Sequence, residues 1–277
     1  MLQKLENSWE LVKASARVLR ADTELVVFPL VSASTLLVVA ASFAVPLWLT
    51  GGVENAGRSP LAALAGLAFY VATSFVIFFC NSALVGAALI RLRGGDPTVG
   101  DGFRLAWDKV GLILGYSVVA GTVGLVLKAL QERAGLLGRL VAGLFGVAWS
   151  LATFLVVPVL VSESVGPVDA VKRSAELFKR TWGEQVVGNF GVGTVTFLAG
   201  LGLTVVFVPL VAVAGMLGAP ALVAGVGATY LLGLMLLALA HATLSGIYTA
   251  ALYRYATEGV VGEGFEPAMV QRAFRPR

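Results

Sequence analysis

The chain has 277 residues, of which 58% are hydrophobic and 13% are charged, and its net charge is +4. Soluble domains are about 45–50% apolar and about 25% charged, so this composition excludes an ordinary soluble protein and favours a membrane protein. The basic excess does not indicate nucleic-acid binding, because no platform of aromatic and basic residues accompanies it.

Six stretches are long and apolar enough to cross a hydrocarbon core of about 30 Å, which requires about 20 residues of helix. The first is too long for a signal peptide and is predicted to be retained. The last two exceed one crossing, which leaves room for tilt, a kink at Pro209 or an interfacial turn. Five spans, or seven with a re-entrant segment, are the alternatives. The predicted spans cover residues 25–49, 61–90, 110–130, 136–161, 186–217 and 219–253.

Basic residues predict the orientation, because Lys and Arg resist translocation. Sixteen of the 20 basic residues lie in four segments, which are the two chain ends and the connections after the second and fourth spans. This distribution argues against five or seven spans. We therefore expect a multi-pass protein of the inner membrane with both termini in the cytoplasm. The residues are Lys4, Lys13, Arg17, Arg20, Arg91, Arg93, Arg104, Lys109, Lys172, Arg173, Lys179, Arg180, Arg254, Arg272, Arg275 and Arg277.

Three segments that precede spans are predicted to be amphipathic helices, because apolar residues recur there at spacings of three and four. Coiled-coil seams are the alternative, but the stripes are short and lie beside spans, which favours helices along the cytoplasmic interface. Thr98 and Asp101 form a possible capping box at the start of the middle helix. The stripes are Leu2, Leu5, Trp9, Val12, Ala16 and Leu19; Phe103, Ala106 and Val110, with Trp107 beside them; and Val168, Val171, Ala175, Phe178 and Trp182.

The start of the middle helix recurs near the end of the chain. Val99-Gly100-Asp101-Gly102-Phe103 matches Val261-Gly262-Glu263-Gly264-Phe265, and each follows an Ala-Leu-x-Arg element. We interpret this as an internal repeat of one interfacial helix and one hairpin, with units 1–92, 93–162 and 163–255, a tail at 256–277 and a single membrane domain over 1–277. The predicted fold is all-α and pseudo-threefold. Such repeats occur in transporters, but they also arise by plain duplication.

Several motifs carry a resemblance to a known family. They are Asn81-Ser82-Ala83-Leu84, the segment 91–98, Pro158 to Glu163, Gly166-Pro167 and Lys172-Arg173-Ser174. On these motifs the chain resembles an uncharacterised family of prokaryotic six-span membrane proteins. It is also similar, more weakly, to membrane domains attached to some glycerophosphodiester phosphodiesterases. That similarity implies a shared architecture only, because the catalytic barrel is absent and no catalytic residue carries over.

Few residues in the spans could support chemistry. His241 is the only histidine, and we expect it to hydrogen-bond a neighbouring helix rather than act as a proton relay or ligand contact. Glu163 is predicted to be an interfacial charge that starts the connection to Pro167, with Lys109 or Arg91 as possible partners. Neither residue belongs to a metal, nucleophile or phosphate motif, so we predict no cofactor, no metal and no catalysis. The single cysteine, Cys80, is predicted to be a packing residue, and prolines 29, 46, 158 and 209 are expected to kink helices or remove hydrogen bonds.

The leading hypothesis is a noncatalytic protein that organises or assists something at the cytoplasmic leaflet, with a membrane protein or a second copy as a possible partner. The alternative is a transporter or lipid-handling protein whose apolar cavity lies near His241 and the fourth and fifth spans. A membrane hydrolase is least favoured. The predicted contacts for anionic lipid headgroups are Lys13, Arg17, Arg20, Arg104, Lys109, Lys172, Arg173, Lys179 and Arg180.

Overall fold

The computed structural model describes residues 2–49, 60–133, 135–182 and 191–260. These ranges form α-helices, one 3₁₀ turn at Thr23–Val26 and no strand, which confirms the predicted all-α class. The helices are α1 (Leu2–Ala21), α2 (Val27–Leu49), α3 (Pro60–Leu92), α4 (Val99–Asp108), α5 (Val110–Arg133), α6 (Leu136–Ala152), α7 (Val156–Ser162), α8 (Pro167–Trp182), α9 (Gly191–Met216) and α10 (Pro220–Glu258).

Six segments of the described chain are long and apolar enough to cross a membrane, which confirms the predicted number of spans. The sixth is longer than expected, because α10 continues to Glu258. The predicted start of the fifth span, Val186, lies outside the described residues. The spans are Thr23–Leu49, Leu64–Leu92, Val110–Glu132, Gly138–Ser162, Val195–Met216 and Pro220–Glu258.

The spans are organised around α3, which contacts α2, α4, α5, α7 and α10. Its second half carries small buried side chains, including Ala83, Ala87 and Ala88. Small residues let helix backbones approach closely, so several helices can surround this one. The core lies at the same level and includes Leu84, Leu160 and Ile247, together with Phe28 in the first turn of α2.

The opposite half of the bundle is open. Large apolar side chains of α2, α9 and α10 are exposed there, including Leu37, Val205 and Leu231. In a chain with six membrane spans these side chains face lipid. The structure is therefore tightly packed at the level of α4 and loosely packed on the far side of the membrane.

The fourth span is interrupted between α6 and α7. Pro158 has no N–H to bond the carbonyl of Phe154, and its ring clashes with that carbonyl, so a helix breaks at this point. The break leaves the N–H of Leu155 without a helical partner, and this group donates to Ser174 Oγ of α8 at 2.9 Å. The expectation for Pro158 is thus confirmed, whereas Pro46 and Pro209 lie inside continuous helices.

The three short polar helices α1, α4 and α8 pack in a common manner. The helix α4 contacts α3 of the hairpin before it, and α8 contacts α5, α6 and α7 of the hairpin before it. The helix α1 packs against α9 and α10, the last hairpin of the described residues. Each polar helix therefore packs mainly on one hairpin.

The capping box of α4 is confirmed. The Asp101 backbone N–H donates to Thr98 Oγ1 at 3.2 Å, and the Thr98 backbone N–H donates to Asp101 Oδ2 at 3.0 Å. The Thr98 hydroxyl also donates to Asp101 Oδ2 at 2.7 Å, and this bond, with the one from the Thr98 backbone N–H, holds the pKa of the Asp101 carboxyl below its usual value. The next backbone N–H, of Val99, donates to Glu24 Oε2 at 3.0 Å, so the N-terminus of α4 is tied to the turn before α2.

The apolar stripes predicted for these helices overlap only in part with the faces that the protein buries: Ala106 and Phe178 are buried, and Val12, Leu19, Phe103 and Val171 pack against the core. The buried faces are Ala14, Ser15 and Val18 in α1; Gly102 and Ala106 in α4; and Ala170, Ser174, Leu177 and Phe178 in α8. Trp9 is 50% exposed and Trp107 is 67% exposed. Val110 belongs to α5 rather than to the stripe of α4, because α4 ends at Asp108. Both small and large residues face the bundle, whereas Trp9, Trp107 and Val168 are exposed.

Gly102 shows why small residues are needed at these faces. A Cβ atom at this position would lie 2.8 Å from the carbonyl oxygen of Ala83 and 2.7 Å from Cε1 of Phe28. The Ala83 carbonyl is part of α3 and cannot move aside. Gly100, two residues earlier, has only Thr98 Oγ1 near its Cβ position, at 3.6 Å. The equivalent glycines of the second motif copy, Gly262 and Gly264, lie outside the described residues.

Gly102→Ala is expected to destabilise the protein by about 1–3 kcal/mol, because the added methyl group overpacks the contact between α4 and α3. Gly100→Ala is the matched control, and it is expected to be neutral or stabilising by up to about 1 kcal/mol, because alanine favours a helix interior. Thermal unfolding of the two purified variants measures the difference. Equal melting temperatures would contradict the close approach at Gly102.

Ser174→Ala is expected to destabilise the protein by about 1–3 kcal/mol, because it leaves the buried N–H of Leu155 without an acceptor. Ser150→Ala is the control, since Ser150 is exposed and donates only to the carbonyl of Gly146 in its own helix. Thermal unfolding of both variants in one detergent gives the comparison. A Ser174→Ala variant as stable as Ser150→Ala would show that the break in the fourth span does not depend on the hydrogen bond between Leu155 and Ser174.

Candidate functional site on the basic side

The helices α1, α4 and α8 lie on one side of the membrane, because two spans separate each from the next. This side, called the basic side below, also contains the ends of α3 and α10. It holds Glu163 and all the residues predicted to contact anionic lipids. The side chain of one of those predicted contacts, Arg180, lies outside the described residues.

Four of the predicted lipid contacts are engaged within the protein. Lys172 Nζ lies 3.1 Å from Asp169 Oδ1, and Arg173 Nε lies 3.2 Å from the Glu163 carboxylate. The other two contact neutral groups: Lys109 Nζ donates to a serine hydroxyl at 2.8 Å, and Lys13 Nζ lies 5.7 Å from the centroid of an indole ring. These bases are therefore less available to a ligand.

The other four are exposed and form no ion pair with any described carboxylate. They are Arg17 and Arg20 on α1, Arg104 on α4 and Lys179 on α8. Each of the three polar helices therefore carries at least one positive charge that pairs with no carboxylate of the described residues. This group is called the free bases below.

Glu163 does not pair with Lys109 or Arg91, so that prediction was wrong. Its carboxylate accepts hydrogen bonds from Arg173 Nε at 3.2 and 3.3 Å and from the Tyr253 hydroxyl at 3.1 Å. Arg91 instead pairs with a loop aspartate at 3.3 Å. Glu163 is the C-cap of α7, and α8 begins at Pro167, as the sequence predicted. The residue thus ties α7, α8 and α10 together rather than offering a free carboxylate.

A second polar cluster joins the ends of α3 and α10. Glu258 accepts hydrogen bonds from Arg93 Nη2 at 2.7 Å and from Arg254 Nε at 2.9 Å. Arg254 also donates through Nη1 to the carbonyl of Leu92, one of the last carbonyls of α3. A positive charge at the C-terminus of a helix satisfies an orphan carbonyl and complements the helix dipole.

Asp22 is a buried carboxyl group that the sequence analysis did not single out. It lies between α1 and the turn before α2, it is 7% exposed, and its Oδ2 atom has no hydrogen-bond partner among the described residues. Burial raises the pKa of Asp22 above its usual value, although Arg91 opposes this shift. The sequence signal was weak, because an aspartate that follows a helix usually lies in solvent.

His241 hydrogen-bonds a neighbouring helix. Its Nδ1 atom lies 3.0 Å from Thr196 Oγ1 of α9, in agreement with the expected packing role. Among the described residues, no group of three His, Cys, Asp or Glu side chains is placed to hold a metal. His241 also lines a cavity, which the next paragraph describes.

A groove of about 400 Å³ lies between α2, α3 and α10. The groove includes no residue of the fourth or fifth span, so a cavity beside those spans stays a prediction, although His241 does line the groove. The helix α3 forms its floor, because α3 packs closely on both α2 and α10, whereas α2 and α10 contact each other little. Asn81 and Ser245 contribute polar groups, and no charged residue lines the groove. A polar amide inside an apolar span was a signal available in the sequence.

Comparison with known proteins agrees with this architecture. A family model described as a family of unknown function, DUF6159, matches residues 62–265, which is most of the chain. The chain belongs to this family. No curated protein and no solved structure matches it. The resemblance to a family without assigned function is confirmed, whereas the similarity to phosphodiesterase membrane domains stays a prediction. The DUF6159 match contains α4 to α10 and nearly all of α3, and it begins after α1 and α2.

Asp22→Asn is expected to raise the melting temperature of this DUF6159 protein at pH 7–8, because asparagine removes a buried, incompletely paired charge. The folded pKa is raised, so the charge penalty is absent below the unfolded pKa of 3.8 and grows as pH rises through the folded pKa. The gain from Asp22→Asn should therefore shrink as pH falls toward 4. Thermal unfolding across pH, with exposed Asp108→Asn as control, measures it. A gain that is independent of pH would refute this account.

Proposed function

We propose that this chain is a noncatalytic protein of the inner membrane that engages the anionic cytoplasmic leaflet and assists other membrane components there. The observation that carries the proposal is the set of free bases, at least one on each of the three polar helices on the basic side. The basic side faces the cytoplasm under this proposal, and both termini lie there, in keeping with the distribution of Lys and Arg.

The polar helices have the other feature that an interfacial position requires. Trp9 and Trp107 are exposed beside the bases, and exposed tryptophans favour the headgroup region of a bilayer. The buried faces pack on the bundle, and the exposed apolar side chains Trp9, Trp107 and Val168 remain for lipid. This division of each helix supports an interfacial position over a coiled-coil seam, which would use one continuous apolar stripe.

Electrostatics sets the expected size of the effect. A base near an anionic membrane surface contributes about 1 kcal/mol, so four free bases contribute several kcal/mol to contact with the leaflet. Bases already paired with carboxylates contribute less, because their charge is neutralised locally. The free bases should therefore account for most of the preference for anionic lipid.

The protein is expected to melt at a higher temperature in nanodiscs of anionic phospholipid than in nanodiscs of neutral phospholipid. In the variant Arg17→Gln, Arg20→Gln, Arg104→Gln, Lys179→Gln, most of this difference should disappear, because the headgroup contacts are lost. High salt should reduce the difference in the unchanged protein, since the screening length falls from about 10 Å at 0.1 M to about 3 Å at 1 M. Thermal unfolding in both lipids measures all three quantities.

The control removes paired charges on the same side. Lys172→Gln with Asp169→Asn, and Arg91→Gln with Asp96→Asn, delete two bases with their partners and keep the net charge. These variants should retain the dependence on anionic lipid. Equal stability of the unchanged protein in both lipids, or full lipid dependence in the variant without free bases, would refute the proposal.

A second candidate function is favoured by the groove between α2, α3 and α10. A cavity of about 400 Å³ falls in the range of about 300–1,000 Å³ that small-molecule sites occupy. It opens within the membrane, so its natural occupant is a molecule that partitions into lipid. The second candidate is therefore a lipid-handling protein, which is compatible with attachment to an anionic leaflet.

A further inference from the structure

The groove contains polar groups that no described residue satisfies. The side-chain amide of Asn81 forms no hydrogen bond, the hydroxyl of Ser245 forms none, and His241 is bonded only through Nδ1. An unsatisfied polar group in hydrocarbon costs several kcal/mol. We therefore expect these groups to form hydrogen bonds with a polar part of a bound molecule.

The polar and apolar residues of the groove lie at different depths. The helix α2 runs away from the basic side, whereas α3 and α10 run toward it. Leu36, Ile77 and Met235 are therefore farther from the basic side than Asn81 and Ser245. Asn81 and Ser245 therefore lie at the inner end of the groove, beside apolar Pro29 and Leu84, and His241 lies between Ser245 and the apolar outer end.

The outer end is also where the groove meets the lipid. Ile77 is 46% exposed and Met235 is 49% exposed, whereas the inner residues Asn81 and Ser245 are half-buried. The inner end is closed because α10 approaches α3 at Gly246, where a Cβ atom would overlap the side chain of Leu84. A ligand must enter sideways from the membrane, with its polar end reaching the closed end of the groove.

The chemistry of the lining restricts the ligand. No Lys, Arg, Asp or Glu lines the groove, so an ionised phosphate or carboxylate would lose its hydration without a charged partner. The amide of Asn81 and the hydroxyl of Ser245 can both donate and accept hydrogen bonds, which suits hydroxyl and ester groups. The volume of about 400 Å³ lies at the small end of the range for ligand sites, which favours one chain over two.

We propose that the groove binds one molecule of a single-chain amphiphile with an uncharged, hydrogen-bonding head. The head contacts Asn81, Ser245 and His241, and the chain lies along Leu36, Ile77 and Met235 toward the lipid. This inference rests on the second candidate function and names its binding site and its class of ligand.

The first test uses Cys80, the only cysteine of the chain, which lines the groove. The unchanged protein in neutral nanodiscs is treated with N-ethylmaleimide, with and without a monoacylglycerol. The monoacylglycerol is expected to slow alkylation of Cys80 at least fivefold, whereas a lysophosphatidylglycerol of equal chain length should have little effect. Equal protection by both lipids, or protection by neither, would overturn the proposal.

The second test uses a monoacylglycerol with a photoreactive diazirine in its chain. Crosslinks are expected in α2, α3 and α10, and Ala242→Phe, which fills the groove, should reduce them at least tenfold. Ala228→Phe is the matched control, because Ala228 is exposed on α10 outside the groove. Unreduced crosslinking in a folded Ala242→Phe variant would place the probe elsewhere and overturn the proposal.

Asn81→Leu separates binding from structure. If Asn81 meets a ligand head, this variant loses crosslinking at least tenfold, while its melting temperature without ligand is unchanged or higher because an unpartnered amide has been removed. A lower melting temperature with undiminished crosslinking would show that Asn81 has a structural role only. Scrambling of labelled lipid in liposomes reports on lipid handling separately, so binding without scrambling would refute that function and leave the site intact.

Discussion

The close approach of helices to the second half of α3 is the constraint on which the rest of the structure depends. Apolar side chains gain little from leaving lipid for protein, so packing and hydrogen bonds must hold a membrane bundle together. The alanines of α3 and Gly102 of α4 allow contact at backbone distance. Around the same centre, Ser174 of α8 accepts a hydrogen bond from the N–H of Leu155, and Arg173 of α8 donates to Glu163. The core is therefore confined to the basic side, and the far half of the spans separates into the lipid.

The same asymmetry explains why the groove lies where it does. At the level of the core, Gly246 brings α10 against α3 and leaves no space. Farther out, α2 and α10 both remain on α3 but separate from each other, and the groove opens between them. Asn81 sits at the transition. A position in the tight core would leave its amide no room for a partner, whereas one farther out would expose the amide to hydrocarbon.

Hydropathy predicted the six spans well, because crossing a bilayer imposes both length and composition on each segment. The capping box at Thr98 and Asp101 was equally readable, since both partners lie within one turn of helix. The buried faces of the polar helices could not be predicted from the sequence in this way. Periodicity separates polar from apolar residues, but in a membrane the face toward protein and the face toward lipid are both apolar. Hydropathy therefore does not distinguish them, as Phe103, which packs against the core, and exposed Trp107 show on one short helix.

Contacts between distant segments were the least predictable part. Charge alone made Lys109 and Arg91 reasonable partners for Glu163, whereas the break at Pro158 and the packing of α8 bring Arg173 to it instead. The packing of the polar helices was also hidden from the sequence, because α1 packs on the hairpin farthest from it in sequence. The predicted repeat unit, one polar helix with the hairpin that follows it, stays a prediction. The pairing of α1 with α9 and α10 then joins the two ends of the described chain, so loss of α1 should loosen the last hairpin before the first.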